Sequence, residues 1–108
     1  MSGRLTTHVL DTARGRPAPG VGISLRRDGA LLSETVTNAE GRTDAPLLEG
    51  DAFTAAVYEI TFAMGAYFAQ TPGFLDFVPV RFTVTDPDEH HHVPLLVSPW
   101  SYSTYRGS

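Results

Sequence analysis

The sequence predicts an all-β fold, a sandwich of short strands, on three observations. Apolar and polar residues alternate with period two in segment after segment, clusters of Gly, Pro, Asn and Asp separate those segments, and helical periodicity is nearly absent. At 108 residues the chain has too few positions to give two domains a core each, so a single domain over 1–108 is expected.

The first strand runs from Arg4 to Asp11, with Leu5, Thr7 and Val9 on one face and Thr6, His8 and Leu10 on the other. His8 therefore leaves the face that Val9 occupies. Gly15-Arg16-Pro17-Ala18-Pro19-Gly20 is a turn, because proline withholds donors and glycine permits the bend. Val21, Ile23 and Leu25 form the apolar face of the next strand, and Asp28-Gly29 reads as a hairpin turn into Leu31 to Thr37. Asn38-Ala39-Glu40-Gly41 is a further turn that sets Arg42 just past a glycine. A strand is expected from Phe53 to Phe62, with Tyr58, Ile60 and Phe62 on one side. It continues into the one short helix, Met64 to Gln70, which is under two turns and needs tertiary packing to hold. Thr71-Pro72-Gly73 ends that helix. Val78, Val80, Phe82 and Val84 alternate with polar positions in a half-buried strand, and Asp86-Pro87-Asp88 turns the chain. In the strand His91 to Ser98, Val93, Leu95 and Val97 share one face, while His90, His92, Pro94 and Leu96 share the other. Ser98-Pro99 breaks it, and Ser101 to Tyr105 reads as a last strand at a sheet edge.

Composition narrows the function classes. Net charge is -4 and the eight basic residues are scattered, so no stripe tracks a phosphate backbone and nucleic acid is not an expected partner. The absence of cysteine removes disulfides, thiolate catalysis and Cys-based zinc sites. No apolar run approaches the roughly 20 residues of a membrane helix, and no secretory leader or Ser-Lys-Leu ending is read, so no membrane partner and a cytoplasmic location are expected.

Three readings compete for His90-His91-His92: exposed histidines on a surface strand, two zinc ligands at i and i+2 awaiting a third, or acid-base catalysis by imidazoles that titrate near neutrality. His8 alone reads as a structural histidine. Arg42 alone reads as a solvated arginine or as a clamp for an anionic oxygen. The tail Tyr102 to Ser108 reads alone as a frayed terminus. A Ser-His-Asp triad finds no Gly-x-Ser-x-Gly elbow to support it.

Together, however, these pieces resemble the transthyretin-like family, and within it the hydrolases of 5-hydroxyisourate. The resemblance is carried by Thr7-His8-Val9-Leu10-Asp11, by Gly15-Arg16-Pro17-Ala18, by Asn38-Ala39-Glu40-Gly41-Arg42-Thr43 and by Gly65-Ala66-Tyr67-Phe68. It is completed by His90-His91-His92-Val93-Pro94-Leu95-Leu96 and Ser98-Pro99, running to Tyr105-Arg106-Gly107-Ser108. His91 and Trp100 depart from the tyrosines usual there. Carriers of the transthyretin branch have lysine where this chain has His8, and they lack the Tyr-Arg-Gly-Ser ending.

The resemblance implies a transthyretin-like sandwich of two four-stranded sheets with one short helix, assembled as a homotetramer of edge-paired dimers with its cleft between dimers. It implies 5-hydroxyisourate as substrate, 2-oxo-4-hydroxy-4-carboxy-5-ureidoimidazoline as product, and neither cofactor nor metal. His8, Arg42, His92 and Ser108 are the catalytic expectation. Either histidine would take a proton from water, Arg42 would hold the oxyanion, and Ser108 would orient water or substrate. His90, Tyr105, Arg106 and Gly107 are the substrate-binding expectation, with His90 fixing the tautomer or ring position of His92.

Overall fold

A computed structural model describes residues 3–69 and 73–107. Its strands are β1 (Arg4–Asp11), β2 (Arg16–Pro17), β3 (Gly22–Arg27), β4 (Ala30–Val36), β5 (Leu48–Glu49), β6 (Ala56–Ala63), β7 (Phe77–Val84), β8 (His90–Val97) and β9 (Tyr102–Thr104). One helical turn, α1 (Met64–Tyr67), joins β6 to β7. The strands form two sheets, one ordered β2-β1-β8-β9 with β5 also paired to β1, the other ordered β4-β3-β6-β7. The two expected four-stranded sheets are present, the first enlarged by the two-residue β5.

The period-two alternation sorts side chains as read. Leu5, Val9, Leu25, Ile60, Phe62, Leu95 and Val97 are fully buried between the sheets, and each such side chain contributes roughly 1.5–3 kcal/mol relative to exposure. The β3–β4 hairpin turns on Asp28 and Gly29, with φ of 49° and 88°. Two positive φ angles in succession give the turn twist that matches paired strands.

Arg16–Pro17, inside the segment read as a turn, is strand β2, paired to Leu10 and Asp11, and two further expectations change in extent. Residues Gly50–Ala52 form a 3₁₀ turn, so β6 starts at Ala56 rather than Phe53. The Phe53 ring instead turns inward, 5.7 Å from that of Tyr58, and the Tyr58 hydroxyl ties the segment down by donating to the Thr54 carbonyl at 2.8 Å. The helix is a single turn ending at Tyr67 rather than reaching Gln70; Gln70, Thr71 and Pro72 lie outside the described residues. One turn cannot hold itself. Met64 is fully buried, the amides of Met64 and Gly65 donate to the Asp76 carbonyl, and the Tyr67 hydroxyl donates to the buried Asp11 carboxylate at 2.8 Å.

The feature that positions the site is the pairing of β1 with β8. It is parallel, with Arg4 opposite His90, Thr6 opposite His92 and His8 opposite Pro94. On its other side β1 is met in turn by β2, by Arg42 at a bridge to His8, and by β5. Strand β9 is the sheet edge, as expected.

Candidate active site

Residues opposite one another on neighbouring strands present their side chains to the same face. The register therefore lays the row Arg4, Thr6, His8 beside the row His90, His92 on the face of the first sheet turned away from the core. The Thr6 hydroxyl lies 2.7 Å from His90 Nε2 and 2.8 Å from His92 Nδ1. The two imidazoles are 6.1 Å apart between centroids and tilted by 57°, and the Thr6 hydroxyl stands between them. Thr6 is not singled out by the sequence. Its place on the His8 face was legible, but a parallel register between positions 86 residues apart was not.

The histidine run divides. His91 points inward and is 6% exposed, set edge-on to Phe53 at 5.5 Å, and its Nδ1–H donates to the Glu89 carbonyl at 3.1 Å. The imidazole there packs as an aromatic ring against Phe53.

Arg42 and His8 are brought together by the turn at residues 38–41. Gly41 has a φ of 74°, and a Cβ on it would lie 2.4 Å from the Val9 carbonyl oxygen. Only glycine lets the turn approach β1 this closely. The Val9 amide then donates to the Gly41 carbonyl at 2.8 Å, while Asn38 Oδ1 accepts from the amides of Glu40 and Arg42. The result is a backbone bridge between His8 and Arg42. His8 Nε2 lies 2.9 Å from the Glu40 carbonyl; since a carbonyl only accepts, Nε2 carries the proton and neutral His8 keeps Nδ1 bare. The Arg42 side chain is exposed, and its guanidinium has no hydrogen-bond partner among the described residues.

The C-terminal segment reaches the site through Gly107, whose amide donates to the His92 carbonyl at 2.7 Å. Tyr105 and Arg106 do not join the histidines within one chain. Arg106 pairs with Glu89 at 2.9 Å, Tyr105 is exposed, and both line a separate hollow with His91 and Phe82. Ser108 lies outside the described residues.

A surface hollow of about 490 Å³ is lined by Arg4, Thr6, Arg42, Asp44, His90 and His92 among others. Burial, then Arg42, His90 and His8, push the His92 pKa below the ordinary histidine value. Burial, then Arg4 and His91, do the same for His90. For His8, burial and Arg42 outweigh the opposing pull of Glu40. Uncharged imidazoles beside two guanidiniums suit an anionic ligand that must lose or gain protons. Among the described residues no three His, Cys, Asp or Glu side chains converge as metal ligands.

Two packed sheets of four principal strands each, with one short helix, make this a transthyretin-like β-sandwich. The model of the HIUase/Transthyretin family matches residues 5–107, and the chain belongs to that family. It is 55% identical to the 5-hydroxyisourate hydrolase 2 of Rhizobium meliloti, over 99% of this chain and 98% of that protein. Among solved structures it superposes on an (S)-allantoin synthase with a TM-score of 0.93 at 50% identity, covering 99% of this chain but only 44% of that one. It also resembles sea bream transthyretin in complex with thyroxine, with a TM-score of 0.87 at 28% identity, covering 96% of this chain and 94% of that one.

Proposed function

We propose that this protein is an enzyme that hydrolyses 5-hydroxyisourate in urate catabolism, opening the six-membered ring by attack of water on a ring carbonyl. The observation that carries the reading is the convergence of His8, His92 and Arg42 on one sheet face, in a chain whose full-length relative at 55% identity is a hydrolase of this substrate.

The chemistry follows from the groups present. Water is a poor nucleophile, and a base that removes its proton as the C–O bond forms is worth about 10² to 10⁴ in rate. His92 is that base, uncharged at neutral pH because burial disfavours its imidazolium. As the carbonyl becomes tetrahedral, charge grows on its oxygen. The planar fork of Arg42 receives it, and the same guanidinium holds the substrate anion beforehand. Collapse of the intermediate breaks the ring C–N bond, and the proton taken up by His92 is delivered to the departing nitrogen. His8 Nδ1 serves as the second acceptor on the same sheet face, beside Arg42, and Ser108 orients the water or the substrate. His90 belongs to the substrate-binding side, next to Arg4. Gly107 keeps the tail against His92, and the Arg106–Glu89 pair anchors that tail beside the site.

A homotetramer built from edge-paired dimers goes with this reading, supported by edge strands β7 and β9 that carry exposed Phe77 and Tyr102. In that assembly Tyr105 and Arg106 reach substrate from a neighbouring subunit. A cytoplasmic location also goes with it, and fractionation of source cells tests that.

Adding the purified protein to freshly generated 5-hydroxyisourate and following the ultraviolet decay tests the proposal. Decay faster than the spontaneous rate, in proportion to enzyme, is the expected result. A rate equal to the spontaneous one would favour a ligand carrier instead.

A further inference from the structure

The Thr6 hydroxyl has one hydrogen and two imidazole nitrogens within 2.8 Å, His90 Nε2 and His92 Nδ1. It donates to one ring and accepts from the other, since a hydroxyl offers one donor and two acceptor positions. Each neutral imidazole carries a single N–H, so the direction of the Thr6 hydroxyl fixes both tautomers at once. If His92 Nδ1–H donates to Thr6, Thr6 donates to His90 Nε2, His92 Nε2 is bare and His90 carries its proton on Nδ1. Reversing the hydroxyl blocks His92 Nε2 with a proton.

We propose that Thr6 is the positioning residue of the site, holding His92 as its Nδ1–H tautomer so that Nε2 is the base toward water, with His90 as the acceptor that fixes the hydroxyl. This rests on the hydrolase reading above. During attack the water oxygen bonds to the ring carbonyl carbon, and its proton moves to His92 Nε2. The Nδ1 proton stays where it is, held by Thr6, which now accepts from an imidazolium and binds it more tightly than the neutral ring. No proton has to leave through Thr6 for this to work.

Several features of the surroundings fit. Threonine is stiff at χ1, so a strand position opposite His92 aims its hydroxyl with little freedom to wander. Its neighbour Thr7 has the same hydroxyl but faces inward, donating to the Val93 carbonyl at 2.7 Å, so only one of the two can serve the outer face. The charged and titratable groups facing the Thr6 trio are Arg4, Arg42 and Asp44 around the hollow and His8 from the adjoining position, while His91 acts on His90 from the inner face of the sheet. Burial and the guanidiniums keep both His90 and His92 uncharged near neutrality, which is the condition under which one hydroxyl can satisfy both rings.

Thr6→Val keeps shape and β-propensity while removing the hydroxyl, and Thr6→Ser returns it. Outer-shell partners that orient metal-bound imidazoles are typically worth about 10- to 100-fold; by the same orienting logic Thr6→Val is expected to lower kcat by about that factor with KM changed less than about 2-fold, and Thr6→Ser to recover most of the loss. Imidazole ¹⁵N spectra should show His92 as the Nδ1–H tautomer in the wild type and a mixture shifted toward Nε2–H in Thr6→Val. Thermal melting of both variants checks that the sandwich is intact. An active wild type whose Thr6→Val twin keeps its kcat and its ¹⁵N pattern overturns this inference alone. A wild type with no rate above the spontaneous decay overturns the hydrolase reading first.

Discussion

Gly107 lies flat against His92: its amide donates to the His92 carbonyl at 2.7 Å, and a Cβ added to it would sit 2.9 Å from Cδ2 of the imidazole. The tail can pass this close only because the residue has no side chain. Gly107→Ala is therefore expected to push either the tail or the ring out of place, lowering kcat/KM for 5-hydroxyisourate at least about 10-fold. The melting temperature should barely change, because the contact lies at the surface end of the chain. Unchanged kinetics would mean that the tail position is irrelevant to the reaction.

Arg42 offers a test of charge stabilisation separate from folding. Its side chain is exposed and makes no hydrogen bond among the described residues, so Arg42→Ala should leave stability within about 0.5 kcal/mol. Loss of an oxyanion donor costs about 10² to 10³ in kcat. Arg42→Lys should recover only part of this, since an ammonium keeps the charge but loses the planar fork. Full activity in Arg42→Lys would reduce the role of Arg42 to simple attraction of an anion.

The pH dependence has a definite sign. His8, His90 and His92 are all pushed below the ordinary value of 6.5, burial being the leading cause in each. A base of this kind stays uncharged down to pH values below 6.5, so kcat/KM should be level through neutrality and fall only on the acid side of 6.5. Stability follows from the same shifts. The unfolded chain binds more protons than the folded one between the two pKa values, so unfolding free energy is at its full value above 6.5 and declines as pH falls through the window beneath it. Parallel pH series of initial rate and of urea midpoint check both; an acid limb above 6.5 contradicts the placement of these rings.

Tyr67 separates architecture from chemistry. Its hydroxyl donates to a carboxylate that is 1% exposed, Asp11, which also accepts from the Arg14 amide. Tyr67→Phe removes one hydrogen bond to a buried charged group, expected to cost about 1.5–3 kcal/mol by denaturant titration. The reacting groups are untouched, so kcat should be unchanged at temperatures where the variant is folded. A large fall in kcat there would mean that α1 communicates with the sheet face.

Metal dependence follows from the hollow itself, where His90 and His92 both turn a nitrogen to Thr6. Exhaustive chelation is expected to leave the rate intact. Abolished turnover restored by zinc would replace Thr6 with an ion as the partner of those rings.

Much of the fold could be read along the chain because it is local. The Asp28-Gly29 hairpin, the alternation of Val78, Val80 and Val84, and the outward turn of His8 depend on neighbours within a few residues. The start of β6 and the length of α1 were misjudged where the outcome is decided by distant partners: Phe53 by the Tyr58 and His91 rings, Tyr67 by Asp11. The same division holds at the site. His8, Arg42 and His92 were singled out by residue type and resemblance, and the structure brings them to one sheet face. Thr6 was invisible as a participant, because a threonine in a strand is ordinary and only the β1–β8 register reveals what stands beside it. Tyr105 and Arg106 are joined to the histidines by resemblance alone; within one chain these two line a different hollow, and Arg106 pairs with Glu89.

The parallel partnership of β1 with β8 joins stretches separated by more than eighty positions, and it has a consequence for biosynthesis. While the ribosome is still translating, β1 has no neighbour on that flank, and a product interrupted ahead of residue 90 exposes a bare strand rich in Leu and Val to its surroundings. Catalytic competence thus waits on the synthesis of β8, and a polypeptide terminated ahead of it would be both inert and prone to self-association.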